Sequence, residues 1–477
     1  MATELTTPRV VAPQGSRWPG FAYAARVWTT RVACATALGG TIAVSLLLVL
    51  AAAERPSFLS GPARHGFPGW MVGPLAHLWP SLTADRITLE ARFTGALVVL
   101  LACWLVATAF APRLRTSVFS VTLVALQAIY LLSPPLSLTD LFNYLHYSRM
   151  GTRLGLNPYV ALPIAGAHDA SYPFSNWHHL PSPYGPLFTV LTYALAPLPV
   201  PTAYWAWKAV VALSSLGCLA IVWWLARRLG RSPQRALAFV GLNPAVLVYG
   251  IGGAHNDSLM MLSVLGAVAL VVAGRDALGG VATVAGGALK VSTGILAPLV
   301  VLGARRRLLA LGGAVAGAVA TGLLVELVFG GHLPAVGLQD RLVTPLSLPS
   351  LLGVLGGAGG ANASVRSIGH VVLAVVAAGC CVAVALRRDR LIAACGVLML
   401  FAVLTLAWTM PWYVGWILPF AALVRRPWLG LACVVLTIWL GLGAIPQRPK
   451  IAHSVGYYPT RTAVGKANHD FTERLLK

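Results

Sequence analysis

The feature that most constrains this chain is a succession of apolar runs, each about as long as a bilayer-crossing helix, separated by short clusters of arginine. A hydrocarbon core roughly 30 Å thick, crossed at about 1.5 Å per helical residue, needs about 20 apolar residues. Such runs lie at 32–53, 91–111, 118–136, 204–226, 236–253, 258–274, 308–329, 366–386, 391–408, 412–424 and 427–444. A soluble fold could not cover its own surface, because 57% of the chain is hydrophobic and only 10% charged, against roughly 25% in an ordinary globular domain. The excess of 35 Lys and Arg over 13 Asp and Glu gives +22, which in a soluble chain would suggest nucleic acid. Here the basic residues punctuate the apolar runs instead of lining one face, so no nucleic-acid partner is expected. The expected fold class is an all-α polytopic membrane protein with about 11 to 13 transmembrane helices in the lipid bilayer. Residues 32–445 form that domain, after a cytoplasmic segment 1–31 and before a basic tail 446–477.

Lys and Arg collect in cytoplasmic loops. Arg9, Arg17, Arg26 and Arg31 therefore put the N-terminus inside, and Arg113, Arg115, Arg227, Arg228, Arg231, Arg235, Arg305 to Arg307, Arg387, Arg388, Arg390, Arg425 and Arg426 mark further inner loops. The loops 54–90, 137–186, 254–257 and 330–365 then face outward. Two stretches do not read as crossings: 187–200 as a partial outer-face helix, and 277–303 as a re-entrant hairpin, which implies an internal cavity. Parity places the tail outside, whereas its Arg448, Lys450, Arg461, Lys466, Arg474 and Lys477 argue for the inside. All seven cysteines fall in or beside apolar runs and read as small hydrophobes, not as disulfides.

Polar chemistry concentrates in the loop 137–186, which holds Asp140, Tyr144, His146, Tyr147, Arg149, Arg153, Asn157, Tyr159, His168, Asp169, Asn176, His178, His179 and Tyr184. Residues 139–147 read as a helix capped at Thr139 or Asp140, with Asp140, Tyr144 and Tyr147 on one face. Asp140 is either that cap or a base at the membrane boundary. A lipid-linked sugar suits such a layout, with its tail in the bilayer, its phosphate at the interface and its sugar in the outer loops. A glycosidase needs two carboxylates to expel an alkoxide. A phosphate leaves without protonation, so a transferase needs one carboxylate for the acceptor proton and cationic donors for the phosphate.

Three further places offer donors. The turn Gly252-Gly253-Ala254-His255-Asn256-Asp257-Ser258 joins two spans and is either a hairpin turn or a polar lip on the bundle. Lys290 lies in the proposed hairpin and either faces a cavity or snorkels to the inner interface. Trp412 and Tyr413, in the run Trp408 to Trp416, belong to a binding wall or to an interfacial aromatic belt. His178 and His179 read as a polar pair and not as metal ligands, and a divalent cation bridging Asp140 to a phosphate stays open. Lys208 and Glu326 sit near span ends, where each can reach the interface.

The run Asp140-Leu141-Phe142-Asn143-Tyr144, then Arg149, then Gly155-Leu156-Asn157-Pro158-Tyr159, resembles the first outer loop of actinobacterial polyprenol-phosphate-mannose-dependent alpha-1,6-mannosyltransferases. Ser182-Pro183-Tyr184-Gly185-Pro186-Leu187 and Gly252-Gly253-Ala254-His255-Asn256-Asp257 are similar to two further signatures of that family, in the same order. The resemblance implies a GT-C fold in the plasma membrane with the active site on the outer side, and polyprenyl monophosphomannose as donor. It implies an acceptor in the alpha-1,6-mannan of cell-envelope lipoglycan, of lipomannan type, and a single inverting displacement. Asp140 would be the base. His255, Asn256, Asp257 and Lys290 would line the donor site, and Tyr144, Arg149, Asn157, Tyr159, His178, His179, Tyr184, Trp412 and Tyr413 would contact substrate. One departure is Ala254, which lengthens an expected glycine-histidine junction and predicts a wider turn. A GT-C transferase for another lipid-phosphate sugar, a secondary transporter and a lipid flippase are the competing readings.

Overall fold

The structure, a computed structural model, describes residues 19–54, 67–79, 85–136 and 140–476. Arg9, Arg17 and the Thr139 cap lie outside these, as do the side chains of residues 19–27 and Arg86. The α-helices of six residues or more are α1 (Pro19–Glu54), α2 (Arg86–Phe110), α3 (Thr116–Leu131), α4 (Asp140–Arg153), α5 (Pro186–Tyr193), α6 (Val200–Arg228), α7 (Pro233–Gly241), α8 (Asp257–Val272) and α9 (Asp276–Leu289). They continue as α10 (Ala297–Gly303), α11 (Arg307–Phe329), α12 (Leu348–Leu355), α13 (Ala363–Leu386), α14 (Leu391–Thr405), α15 (Leu418–Leu423), α16 (Pro427–Leu442), α17 (Arg448–Ser454) and α18 (Ala463–Leu476). No strand occurs among the described residues. Five helices there, 28–54, 87–113, α6, α11 and α13, are long and apolar enough to cross a membrane. The architecture is all-α, polytopic and consistent with the GT-C type.

Three expected spans differ in detail, two of them because of proline. The first helix is already formed at Pro19, well before residue 32, and nothing from there to residue 31 breaks it. The run 236–253 is interrupted at Pro244, after which a π-helical turn, Ala245–Ile251, carries the chain to the Gly252 turn. Asn243 bridges the break, accepting from the amides of Ala245 (3.0 Å) and Val246 (3.3 Å) and donating to Thr437 (2.9 Å). The run 412–424 likewise begins as a 3-10 turn, Pro411–Trp416, before α15.

The segment 277–303 folds as a hairpin. α9 rises, the chain turns at Lys290 in extended conformation, and a 3-10 turn (Val291–Leu296) and α10 return to the starting face. Its two ends meet where the Arg306 amide donates to Asp276 Oδ2 at 2.9 Å. At 14 residues, α9 is only about 21 Å long, short of a full crossing, so Lys290 stops inside the bundle. Snorkelling to the inner interface is thereby overturned for Lys290. Glycine makes the packing of α9 on α11 close: a Cβ on Gly280 would lie 2.0 Å from the Ala310 carbonyl, and one on Gly313 2.0 Å from that of Ala277.

The tail folds back over the face that carries α4. The His179 amide donates to the Leu475 carbonyl at 3.0 Å, the Tyr457 hydroxyl donates to Pro345 and the Thr462 hydroxyl to Gly359. Leu475 is buried with Trp177, Leu180 and Leu342. Its face is thus shared with the loop 140–186. Arg461 lies 3.7 Å from the Tyr458 ring centroid and Arg341 packs on Phe471 at 4.2 Å, so packing and stacking hold the segment there.

Lys208 also departs from expectation. It is 2% exposed, and its ammonium donates to the Ser133 carbonyl just beyond α3 while facing the rings of Tyr204 (5.4 Å) and Trp205 (5.1 Å). Deep in the bundle, it anchors the strap that leads to Asp140 and does not reach the interface. Glu326 is exposed on α11. The seven cysteines are free and buried or half-buried.

Candidate active site

Asp140 is the first residue of α4, which turns its carboxylate toward the Gly252 turn. His255 Nδ1 lies 3.4 Å from Asp140 Oδ2, and Asn143, one helical turn on, donates to Oδ1 at 3.3 Å. The imidazole is 1% exposed and stacks on Trp412, with centroids 3.5 Å apart and planes 13° from parallel. Its Nε2 has no hydrogen-bond partner, nor do Asn256 Oδ1 and Ser292 Oγ. Three orphaned polar atoms around one cleft are what a site awaiting a polar ligand would leave.

The turn that positions His255 is strained. Ala254 adopts φ +55°, a left-handed conformation rare outside glycine, and its carbonyl accepts from Trp207 Nε1 at 2.8 Å. The turn closes on itself through bonds from the Ala254 amide to Ile251 (3.0 Å) and from the His255 amide to Gly250 (3.0 Å). Replacing Ala254 with glycine removes that strain, and we expect Ala254→Gly to raise stability by about 1 kcal/mol, read as a higher thermal midpoint in detergent. Strain at a site-forming turn fits a functional constraint on its shape.

Asp257 opens α8 and accepts on one oxygen from Lys290 Nζ at 2.7 Å and Trp416 Nε1 at 2.6 Å. Lys290 also faces the rings of Tyr413 (5.0 Å) and Trp416 (5.1 Å). The hairpin tip bearing Lys290 is pinned by the Ser182–Leu187 segment: a Cβ on Gly185 would fall 2.1 Å from the Ala288 carbonyl, and the Gly185 amide donates to Leu289 at 3.3 Å. Only glycine permits that approach.

These pieces enclose a cavity of about 470 Å³ whose walls include Asp140, Tyr144, Tyr184, His255, Asn256, Asp257, Lys290, Trp412 and Tyr413. Burial first, then the Asp140 charge, pushes the Tyr144 and Tyr184 phenols well above their usual range. Both therefore stay protonated donors. Residues singled out from sequence for other reasons, or not at all, complete the walls: Trp177, Ser292, Gln339, Asp340, Trp408 and Trp416. Trp416 was signalled by its spacing from Trp412. Gln339 and Asp340 carry no local signal, since they come from a distant loop.

Five predicted contacts lie outside this cavity. Arg149 forms a buried pair with Asp169 (2.8 Å) and donates to the carbonyls of Ala196 and Leu198. Asn157 donates to the Phe329 carbonyl at 2.7 Å, and the Tyr159 hydroxyl to the Tyr184 carbonyl at 2.9 Å. His178 stacks on Tyr172, and His179 meets α18 through its backbone. These residues brace the loop that carries the site. Burial would raise the Asp169 carboxyl, but the Ser171 hydroxyl and amide and the Arg149 guanidinium outweigh it and hold it below the usual range. Its contribution to stability is thus complete above an ordinary carboxylate value of about 4 and is lost as pH falls through the lower folded value. Arg149→Met should strand that carboxylate and cost about 3–5 kcal/mol. Thermal scans across pH check this: the wild type should hold its midpoint down to about pH 4, while the variant should melt early at neutral pH.

Among the described residues, no three His, Cys, Asp or Glu side chains gather as a metal site. Of the carboxylates beside Asp140, Asp257 is taken up by Lys290 and Asp340 is paired with His370 at 3.2 Å. Asp140, which meets only His255 and Asn143, is the one of the three without a cationic Lys partner or a surface histidine.

The family model described as "Alpha-(1->6)-mannopyranosyltransferase, N-terminal domain" matches residues 37–306, more than half of the chain. Alpha-(1->6)-mannopyranosyltransferase A of Mycobacterium tuberculosis is 29% identical over 393 residues, covering 73% of each chain. Alpha-(1->6)-mannopyranosyltransferase B of Corynebacterium glutamicum is 26% identical over 366 residues, 66% of this chain and 60% of the relative. No solved structure matches this chain.

Proposed function

Because the chain belongs to the alpha-(1->6)-mannopyranosyltransferase family, and is thus a membrane mannosyltransferase, we propose that it moves mannose from polyprenyl monophosphomannose to an alpha-1,6-mannan acceptor of a lipoglycan at the outer side of the plasma membrane. The observation that carries this reading is that Asp140, whose carboxylate meets His255, shares one cavity with Lys290. A base and a cationic donor in one cleft are what a phosphate-leaving transfer requires.

In that reaction the acceptor 6-hydroxyl attacks C1 of the mannosyl donor while its proton passes to Asp140. The C1–O bond breaks, and its electron pair leaves with the phosphate. Lys290, with N–H groups beyond the one given to Asp257, and the unpartnered Ser292 hydroxyl stabilise the charge that develops there. His255 and Asn143 hold the carboxylate in place, and Tyr144 and Tyr184 offer hydroxyls to the sugar. One displacement on a beta-linked donor yields an alpha-linked product.

The test is transfer of labelled mannose from polyprenyl phosphomannose to a short alpha-1,6-mannoside by the purified protein in lipid. A new alpha-1,6 linkage, read by NMR of the product, is the expected result. A beta linkage would remove the single displacement, and transfer from a different lipid-phosphate sugar alone would remove mannose from the donor.

A further inference from the structure

The wall of the reaction cavity has another side. Trp408, Met410 and Trp412 line both that cavity and a second one of about 450 Å³. The second chamber lies beneath the C-terminal tail, and every residue lining it falls beyond position 342, outside the part matched by the family model.

Its chemistry is distinctive. No Asp or Glu lines it. Arg448, one of its two basic side chains, already donates to the Gly443 carbonyl at 3.3 Å; the other is His469. The remaining polar groups are neutral, among them Thr344, Asn468 and Thr472, while Trp408, Trp412 and Trp439 supply broad aromatic faces. Trp439 is held by a bond from its Nε1 to the Leu346 carbonyl at 3.1 Å. An uncharged ring with hydroxyls on its edges and C–H groups on its faces matches this lining. Thr344, Thr472 and Asn468 already donate to the carbonyls of Ala407, Asn468 and Ala361, so what they offer the chamber is acceptor oxygens, which sugar hydroxyls can use and an isoprenoid chain cannot, and a phosphate, itself an acceptor, would find too little cationic charge.

We propose that this chamber is a subsite for a neutral oligosaccharide acceptor, roofed by the tail, from which the terminal residue of the saccharide passes Trp408 to reach Asp140. The proposal rests on the transferase reading above and deepens it: the enzyme would recognise several residues of its acceptor, and the tail would help to set how long an acceptor it prefers.

The experiment uses the full-length protein in lipid nanodiscs with alpha-1,6-mannobiose and alpha-1,6-mannotetraose as probes. Two variants alter the chamber: His469→Ala removes an exposed polar group, and Thr472→Trp fills the space. In the wild type the acceptor KM should fall about tenfold from the disaccharide to the tetrasaccharide, the equivalent of one or two added hydrogen bonds and a stacking contact. In both variants that fall should shrink or vanish, with the donor KM not following it. A length dependence preserved in both variants overturns the proposal, as does a rise confined to the donor KM, which would give the chamber to the lipid chain.

Calorimetric binding of mannotetraose to the Asp140→Asn protein separates the two readings. Binding that Thr472→Trp abolishes, in a protein whose wild type transfers no mannose, supports the subsite and removes the transferase reading. Transfer by the wild type with binding unaffected by Thr472→Trp does the reverse. Matching thermal midpoints for the variants and the wild type exclude misfolding as the cause.

Discussion

Asp140→Asn should abolish mannosyl transfer, by roughly 10²- to 10⁴-fold, the usual worth of a positioned general base, while the protein still inserts and folds. The amide keeps the shape of the carboxylate but cannot take the acceptor proton. Folding should survive because the side chain is at the cavity edge, 15% exposed, and its neighbours His255 and Asn143 are held by other contacts. Asn143 Oδ1 accepts from the Asn176 amide, and His255 stacks on Trp412. The check is initial-rate transfer beside a thermal scan and acceptor binding. If Asp140→Asn retains wild-type kcat, Asp140 is not the base. If it loses activity together with its thermal midpoint, the role is structural, as a residue of the first turn of α4.

Lys290→Met should be nearly as damaging to activity and, unlike Asp140→Asn, should also cost stability. Its ammonium offsets the Asp257 carboxylate, which is only 10% exposed, and a buried charge left without its partner costs about 3–5 kcal/mol. Removing a donor aimed at developing charge costs about 10²- to 10³-fold in rate. The two losses can be separated. In the double variant Lys290→Met/Asp257→Asn no buried charge is stranded, so the thermal midpoint should recover much of its loss while transfer stays impaired. Recovery of both would assign Lys290 to folding alone. Recovery of neither would mean that the hairpin tip needs the ion pair to form, and that the rate loss reports a disordered site.

The neutral pairing of Lys290 with Asp257 also bears on how the site handles a charged donor. A free lysine in a cleft walled by Tyr413 and Trp416 would carry a large desolvation cost. Sharing its charge with Asp257 keeps the site soundly folded when empty, and the ammonium retains donors that a phosphate can use.

Sequence alone determined the architecture. Runs of about 20 apolar residues leave the backbone no choice but to bond to itself as helix in lipid, so an all-helical chain with several long apolar helices was legible, and the hairpin at 277–303 was marked by charges at both of its ends. The same reading located Asp140, the His255 turn and Lys290, because polar groups stand out against an apolar background. Tertiary structure alone decided which of them meet. Arg149, Asn157 and Tyr159 share motifs with Asp140, yet Arg149 leaves α4 toward Asp169, and Asn157 and Tyr159, beyond the end of α4, bond to the Phe329 and Tyr184 carbonyls, directions that depend on where neighbouring elements lie. Gln339 and Asp340 reach the cavity from a loop roughly 200 residues away from Asp140, a closeness no local pattern encodes. The tail is the clearest case: its charge gave no hint of a partner, and Leu475 against Trp177 and Leu180, with the Tyr457 and Thr462 bonds, holds it against the loop 140–186. Charge patterns bias a segment weakly and over short loops, whereas buried apolar contacts and satisfied backbone groups fix it in place.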